Sequence, residues 1–233
     1  MRLEAYERAS LESPGITGRS LPDVCAAIDA SVVASLDPLD DDTAQALRDA
    51  GADIVFTTEV EAHPTMQGMG RLQAEHLIAL GHRRLGYAMP EHPLLRNIAG
   101  DRLLGVAEAC ARAGIDPPLA LDTELDTATM ARAARRWRRE SVTAVCAYND
   151  EVAIALLSAM RRAKLAAPGD LAVMGADDIP LAQVADPPLS TIAFDLEKVG
   201  RSLAEAVVAS LSDRKPRLTP ASLAPHVIHR AST

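Results

Sequence analysis

The sequence predicts an α/β fold built on parallel sheets. Apolar, β-branched runs alternate with helical patterns along the chain, as strand–helix–strand units with right-handed crossovers require. Few of the strand runs alternate apolar with polar residues, as expected when helices cover both faces of a sheet. The chain has 233 residues, 48% hydrophobic and 24% charged, enough to bury a core without metal or disulfide staples.

The elements follow in order. Asp29–Leu36 (DASVVASL) reads as a buried strand. Asp40–Ala50 reads as a helix that opens on acidic residues, where the dipole favours them, and stops at Gly51. Ala52–Thr57 is the next strand. Gly70–Leu80 is a helix with Leu72, His76, Leu77 and Leu80 along one face. Gly81 closes it, because glycine takes the left-handed cap without strain. Arg84–Met89 reads as a strand, Ile98–Gly114 and Thr127–Glu140 as helices, and Ala144–Tyr148 as a short strand. Glu151–Lys164 is a helix, Leu171–Gly175 a strand, Leu196–Leu211 the last helix and Ala224–His229 a final strand. Near the start, Leu3–Leu11 reads as a helix and SLPDVCAAI passes for another. The prolines at 117–118, 187–188 and 216–220 mark loops.

Composition excludes several function classes. Lys plus Arg is 24 and Asp plus Glu is 32, so the net charge is −8 and the overall field repels DNA and anionic lipid. No apolar run approaches the ~18 residues that span a bilayer, so no membrane partner is expected. Cys25, Cys110 and Cys146 are odd in number and widely spaced, which fits a reducing cytoplasm. His226 and His229 point to opposite faces of a strand, and structural zinc wants four clustered ligands, so no metal and no cofactor are expected. Arg132, Arg135, Arg136, Arg138 and Arg139 spread around a helix as a solvated face, and Asp40–Asp42 solvate a helix start. A Walker loop, a GxGxxG after a strand, a GxSxG elbow and a Cys–His pairing are all lacking, so the chain is not read as an enzyme.

Ligands of such sheets bind outside the carboxyl ends of the strands. Two strand ends carry polar clusters, Tyr148-Asn149-Asp150 and Gly175-Ala176-Asp177-Asp178. Each admits two readings, a turn or helix cap and a ligand contact. Arg102, Asn149 and Asp177 together would suit a polyhydroxylated or heterocyclic ligand, since they offer a rigid donor fork, an amide and a carboxylate.

Several segments resemble the effector-binding core of the LacI/GalR family of bacterial transcription regulators. These are GRLQAEHLIALGHRRLGYAM, DRLLGVAEACARAGI, the run from AVCAYNDEVAIALLSAM to DPPLSTI with its "AxND" and "GxDD" motifs, and the closing HVIHRAST. The resemblance covers the chain from about Gly68 to Thr233. It implies a type I periplasmic binding protein-like fold of two Rossmann-like subdomains, 1–64 with 194–218 (shortened) and 65–193 with 219–233, holding a small-molecule effector between them. It assigns ligand contacts to Arg102, Asn149 and Asp177. Tyr148 and Phe194 are the aromatics best placed to stack on a sugar ring, while Trp137 is expected to pack in the core. Where the family usually has an aspartate facing the ligand, this chain has Thr65 and Met66, which favours a less polar ligand. The resemblance also implies a homodimer, and DNA contact through a helix-turn-helix head that residues 1–25 do not contain, so this chain alone is not expected to bind an operator. The alternative of a different class is the solute-binding protein of a transporter.

Overall fold

The structure, a computed structural model, describes residues 20–35, 39–57, 62–211 and 224–233. The expected helix at Leu3–Leu11, the proline-rich loop at 216–220 and the expected subdomain boundary at 218 lie outside the described residues. The chain divides into two compact units, Met1–Ala62 with Leu196–Leu223, and His63–Asp195 with Ala224–Thr233.

In the first unit, helix α1 (Leu21–Ala27) opens on a capping box in which the Ser20 side chain accepts from the Asp23 amide and the Asp23 side chain accepts from the Ser20 amide. Strand β1 (Val32–Ser35) pairs in parallel with β2 (Ile54–Thr57) through the intervening helix α2 (Asp41–Asp49). Asp40 caps α2 by accepting from the Thr43 amide at 2.6 Å. Cys25, Leu47 and Ala52 form the buried apolar cluster among the described residues of this unit. Helix α8 (Leu196–Leu211) returns to it, over the range that the sequence predicts.

The second unit carries a four-stranded parallel sheet in the order β4-β3-β5-β6, formed by Leu119–Thr123, Leu85–Pro90, Ala144–Ala147 and Ala172–Met174. The central strands β3 and β5 are buried along their whole length, because helices cover both faces. Helix α3 (Ala62–Ala79) leads into β3, and helices α4 (Pro93–Arg112), α5 (Thr127–Arg139) and α6 (Asp150–Arg162) connect the strands. Trp137 on α5 is fully buried, as expected, and its indole N–H donates to the Leu119 carbonyl at 2.9 Å. The five arginines of α5 face solvent, also as expected.

Several expectations need correction. Helix α3 starts eight residues before Gly70, and its core-facing residues are Met69, Gln73, Ala74 and Leu77, whereas Leu80 is exposed. The apolar stripe is therefore rotated from the predicted face, because a buried glutamine occupies one of its positions. Helix α4 starts at Pro93 instead of Ile98, since proline in a first turn gives up no helical hydrogen bond. Strand β4 was not expected so soon after Pro117–Pro118, yet as an edge strand it needs only one covered face. The sequence reading likewise assigns no element at the short helix α7 (Pro180–Val184) or at strand β7 (Thr191–Ala193). The final strand β8 (His226–Ile228) is present, but it runs antiparallel to β7 and so departs from the all-parallel expectation.

Helices α3 and α4 cross at glycines. A Cβ on Gly70 would stand 1.8 Å from the Arg102 carbonyl oxygen, and one on Gly105 would stand 1.9 Å from that of Gln67. This contact fixes the backbone of Arg102 against α3.

Candidate functional site

The sheet order places a topological switch between β3 and β5. From β3 the chain crosses one way to β4, and β5 then lies on the other side of β3. Ligands of doubly wound sheets settle outside the carboxyl ends of the strands at such a point. The polar cluster of this unit gathers there.

Arg102, on the helix that follows β3, is buried. One guanidinium nitrogen donates to the Tyr148 carbonyl just past β5. The other terminal nitrogen donates to Asp177 Oδ1 just past β6, at 2.9 Å. The guanidinium carbon lies 4.9 Å from the centre of the Tyr148 ring, a cation–π distance. The buried Nε–H makes no hydrogen bond among the described residues. An unmet buried donor costs about 1–3 kcal/mol unless a ligand or water supplies an acceptor.

Asp177 is exposed and has φ +104°, and its neighbour Asp178 has φ +51°. Both lie in the left-handed region, where a non-glycine residue stores strain of about 1–3 kcal/mol. Two contacts hold the loop. The Asp177 amide donates to the Ile192 carbonyl at 2.7 Å, and Asp178 pairs with Arg230 at 2.7 Å. Arg230 also donates to the Leu189 carbonyl at 2.8 Å. Next to it, the Ser232 hydroxyl donates to the Val173 carbonyl at 2.6 Å and accepts from the Ser190 amide at 2.8 Å. The closing RAST segment thus braces the loop that presents Asp177.

The remaining expected residues have distinct places. Asn149 Oδ1 accepts from the Val152 amide at 2.9 Å and caps α6, which is the structural one of its two readings. The Tyr148 ring is buried, with Arg102 over it. Phe194 is half-buried against the hydrophobic core, as is Met66. Thr65 falls in the first turns of α3, and its side chain lies outside the described residues. The structure therefore brings Arg102, Tyr148 and Asp177 into one cluster, with Asn149 adjacent to Tyr148.

The sequence reading does not single out Gln73, and it names Asp150 only as a member of a strand-end cluster. Gln73 donates to the carbonyls of Ala147 at 2.9 Å and Gly175 at 2.8 Å, tying the ends of β5 and β6 together, and its buried Oε1 has no partner among the described residues. A polar residue at an apolar helical position is the signal that would have found it. Asp150 is buried beneath the loops and accepts from the Thr191 hydroxyl at 2.6 Å and from the Ile179 amide at 2.9 Å. Burial pushes its carboxyl up to about 6, the charges of Asp177 and Asp178 add to this, and the two hydrogen bonds oppose it. Gly175 leaves room for it, because a Cβ there would stand 2.1 Å from Asp150 Oδ1.

Comparison with known proteins places the chain in a family. The profile of the periplasmic binding protein-like domain matches residues 74–233. The HTH-type transcriptional repressor PurR of Photobacterium profundum is 27% identical over 195 residues, 82% of this chain and 57% of the relative. The HTH-type transcriptional regulator CelR of Thermobifida fusca is 28% identical over 206 residues, 83% of this chain and 60% of the relative. The chain thus spans under two thirds of the length of these curated relatives. Among solved structures, the complex of the transcriptional regulator CelR with cellobiose superposes with a TM-score of 0.69 at 26% identity, over 91% of this chain and 69% of that one. The chain belongs to the periplasmic binding protein-like domain family, as an effector-binding core of the LacI/GalR regulator type.

Proposed function

We propose that this chain senses a small polyhydroxylated or heterocyclic molecule, a carbohydrate or a related metabolite, and so controls transcription in the cytoplasm. The observation that carries the reading is Arg102. It is a buried cation at the carboxyl end of the sheet, with one N–H unmet among the described residues, held beside the exposed carboxylate of Asp177. A guanidinium donates in a rigid plane, and a carboxylate accepts from two neighbouring hydroxyls, so the pair matches a sugar or a ring with vicinal polar groups. The cellobiose bound by the CelR neighbour supports this ligand class.

Sensing works by population shift. The effector biases the chain only by its differential affinity for two conformations. The output is carried by a DNA-binding head of the kind that the relatives' HTH-type names denote, acting in a homodimer. Binding with no chemical turnover follows, and the transporter alternative gains nothing from the regulators that match.

A thermal-shift screen across carbohydrates, purines and small acids tests the proposal, since a specific ligand raises the apparent melting temperature by mass action. A saturable rise with one class is expected. A screen in which no class raises the melting temperature, with no calorimetric heat from any of them, contradicts it.

A further inference from the structure

Away from the strand-end cluster, helix α3 and the segment after β8 bring together two histidines 153 residues apart in sequence. His76 is half-buried on α3 and His229 is exposed just past β8. His76 Nε2 and His229 Nδ1 are 3.4 Å apart. The Thr233 hydroxyl oxygen lies 3.1 Å from the first and 3.3 Å from the second. The three atoms thus form a nearly equilateral triangle within hydrogen-bond reach of one another, and the two ring centres stand farther apart, at 5.3 Å, so both nitrogens lie on the near sides of their rings.

The spacing suits a tetrahedral ion with short bonds to nitrogen. Two ligands at tetrahedral angles with Zn–N bonds of about 2.0–2.1 Å are about 3.3 Å apart, whereas a right-angled pair with the same bonds is about 2.9 Å apart. The observed 3.4 Å matches the tetrahedral case. The geometry points to a zinc site at this corner, with His76 Nε2 and His229 Nδ1 as its two nitrogen ligands.

No group of three or more His, Cys, Asp or Glu side chains suited to a metal is found among the described residues. The Thr233 hydroxyl or solvent must therefore complete the coordination, which makes the site open and exchangeable instead of a closed structural one. The Ser190 hydroxyl, 2.7 Å from that of Thr233, orients it. His82 does not join, because its Nδ1 engages the Thr143 hydroxyl at 2.9 Å. The sequence argument against zinc rested on His226 with His229 and on the want of four clustered ligands; the fold pairs His229 with His76 instead, and an open site does not need four protein ligands. Bound zinc would tie the tail segment to α3, and the same segment carries Arg230, which braces the loop of Asp177 through Asp178. The site is independent of the effector proposal.

The test titrates tag-free protein with zinc chloride in a calorimeter at about pH 7.5, where an ordinary imidazole is neutral. One equivalent of zinc is expected to bind and to raise the melting temperature. His76→Asn and His229→Asn should each weaken binding by about tenfold or more and remove the thermal shift. His226→Asn should leave both unchanged. Metal-free melting confirms that each variant folds, with the glutamine variants as substitutes for any that does not. The proposal is overturned by the absence of saturable heat up to about 1 mM zinc, or by binding that survives in both variants.

Discussion

The two units differ in how much core supports them. Among the described residues, the first unit buries Cys25, Leu47 and Ala52 beside a two-stranded sheet. The second packs four parallel strands, with a continuous cluster from Met69 to Ile192. All six residues assigned to the ligand, from Thr65 to Phe194, belong to the second unit. The difference teaches where precision is held, since binding groups stay in register when they are mounted on rigid, well-packed elements.

The largest test of this contrast acts on the helix crossing. Gly105→Val drives a side chain into the Gln67 backbone and should cost about 4 kcal/mol or more, with loss of the second unit's cooperative unfolding in urea. Leu47→Ala should cost about 2–5 kcal/mol and lower only an earlier transition that belongs to the first unit. Coincident shifts of one single transition in both variants would break the contrast.

The next effect is a pH dependence. Asp150 titrates near 6 in the fold against 3.8 for the ordinary carboxyl, so the native state holds a proton that the unfolded chain gives up earlier. Its stabilising contribution is full below about pH 4 and is lost as the pH rises through about 6, for a change of about 3 kcal/mol. Wild type compared with Asp150→Asn at both ends of that range should show this slope in the wild type alone.

Asn149 offers a smaller and more discriminating case. Asn149→Ala should cost about 1 kcal/mol through the lost cap, while Asn149→Asp keeps the cap and the melting temperature. If effector affinity follows the cap, Asn149 acts through the helix. If affinity falls in Asn149→Asp as well, its amide touches the ligand. Smallest of all, Arg135→Ala on the solvated face of α5 should stay within about 0.5 kcal/mol in thermal unfolding.

Much of this was legible in the residues. Strands β3, β5 and β6 announce themselves as unbroken apolar runs because they are buried on both faces. The two polar strand ends are visible for the same reason, since each interrupts such a run. Arg102 could be joined to Asp177 only through the family resemblance, because their contact spans 75 positions that no local pattern records. Elements decided by long-range pairing were missed. Strand β4 is ordered by an edge pairing with β3, and β7 by its pairing with β8. Gln73 and Arg230 were missed as anchors because their partners are backbone carbonyls and loop residues far along the chain.

The central claim is that Arg102 and Asp177 together hold the effector. Calorimetry with the ligand found by screening, on wild type, Arg102→Ala and Asp177→Ala, tests it most directly. The account predicts saturable binding to the wild type and none measurable to either variant, with cooperative melting retained in both. Unchanged affinity in both variants would contradict it.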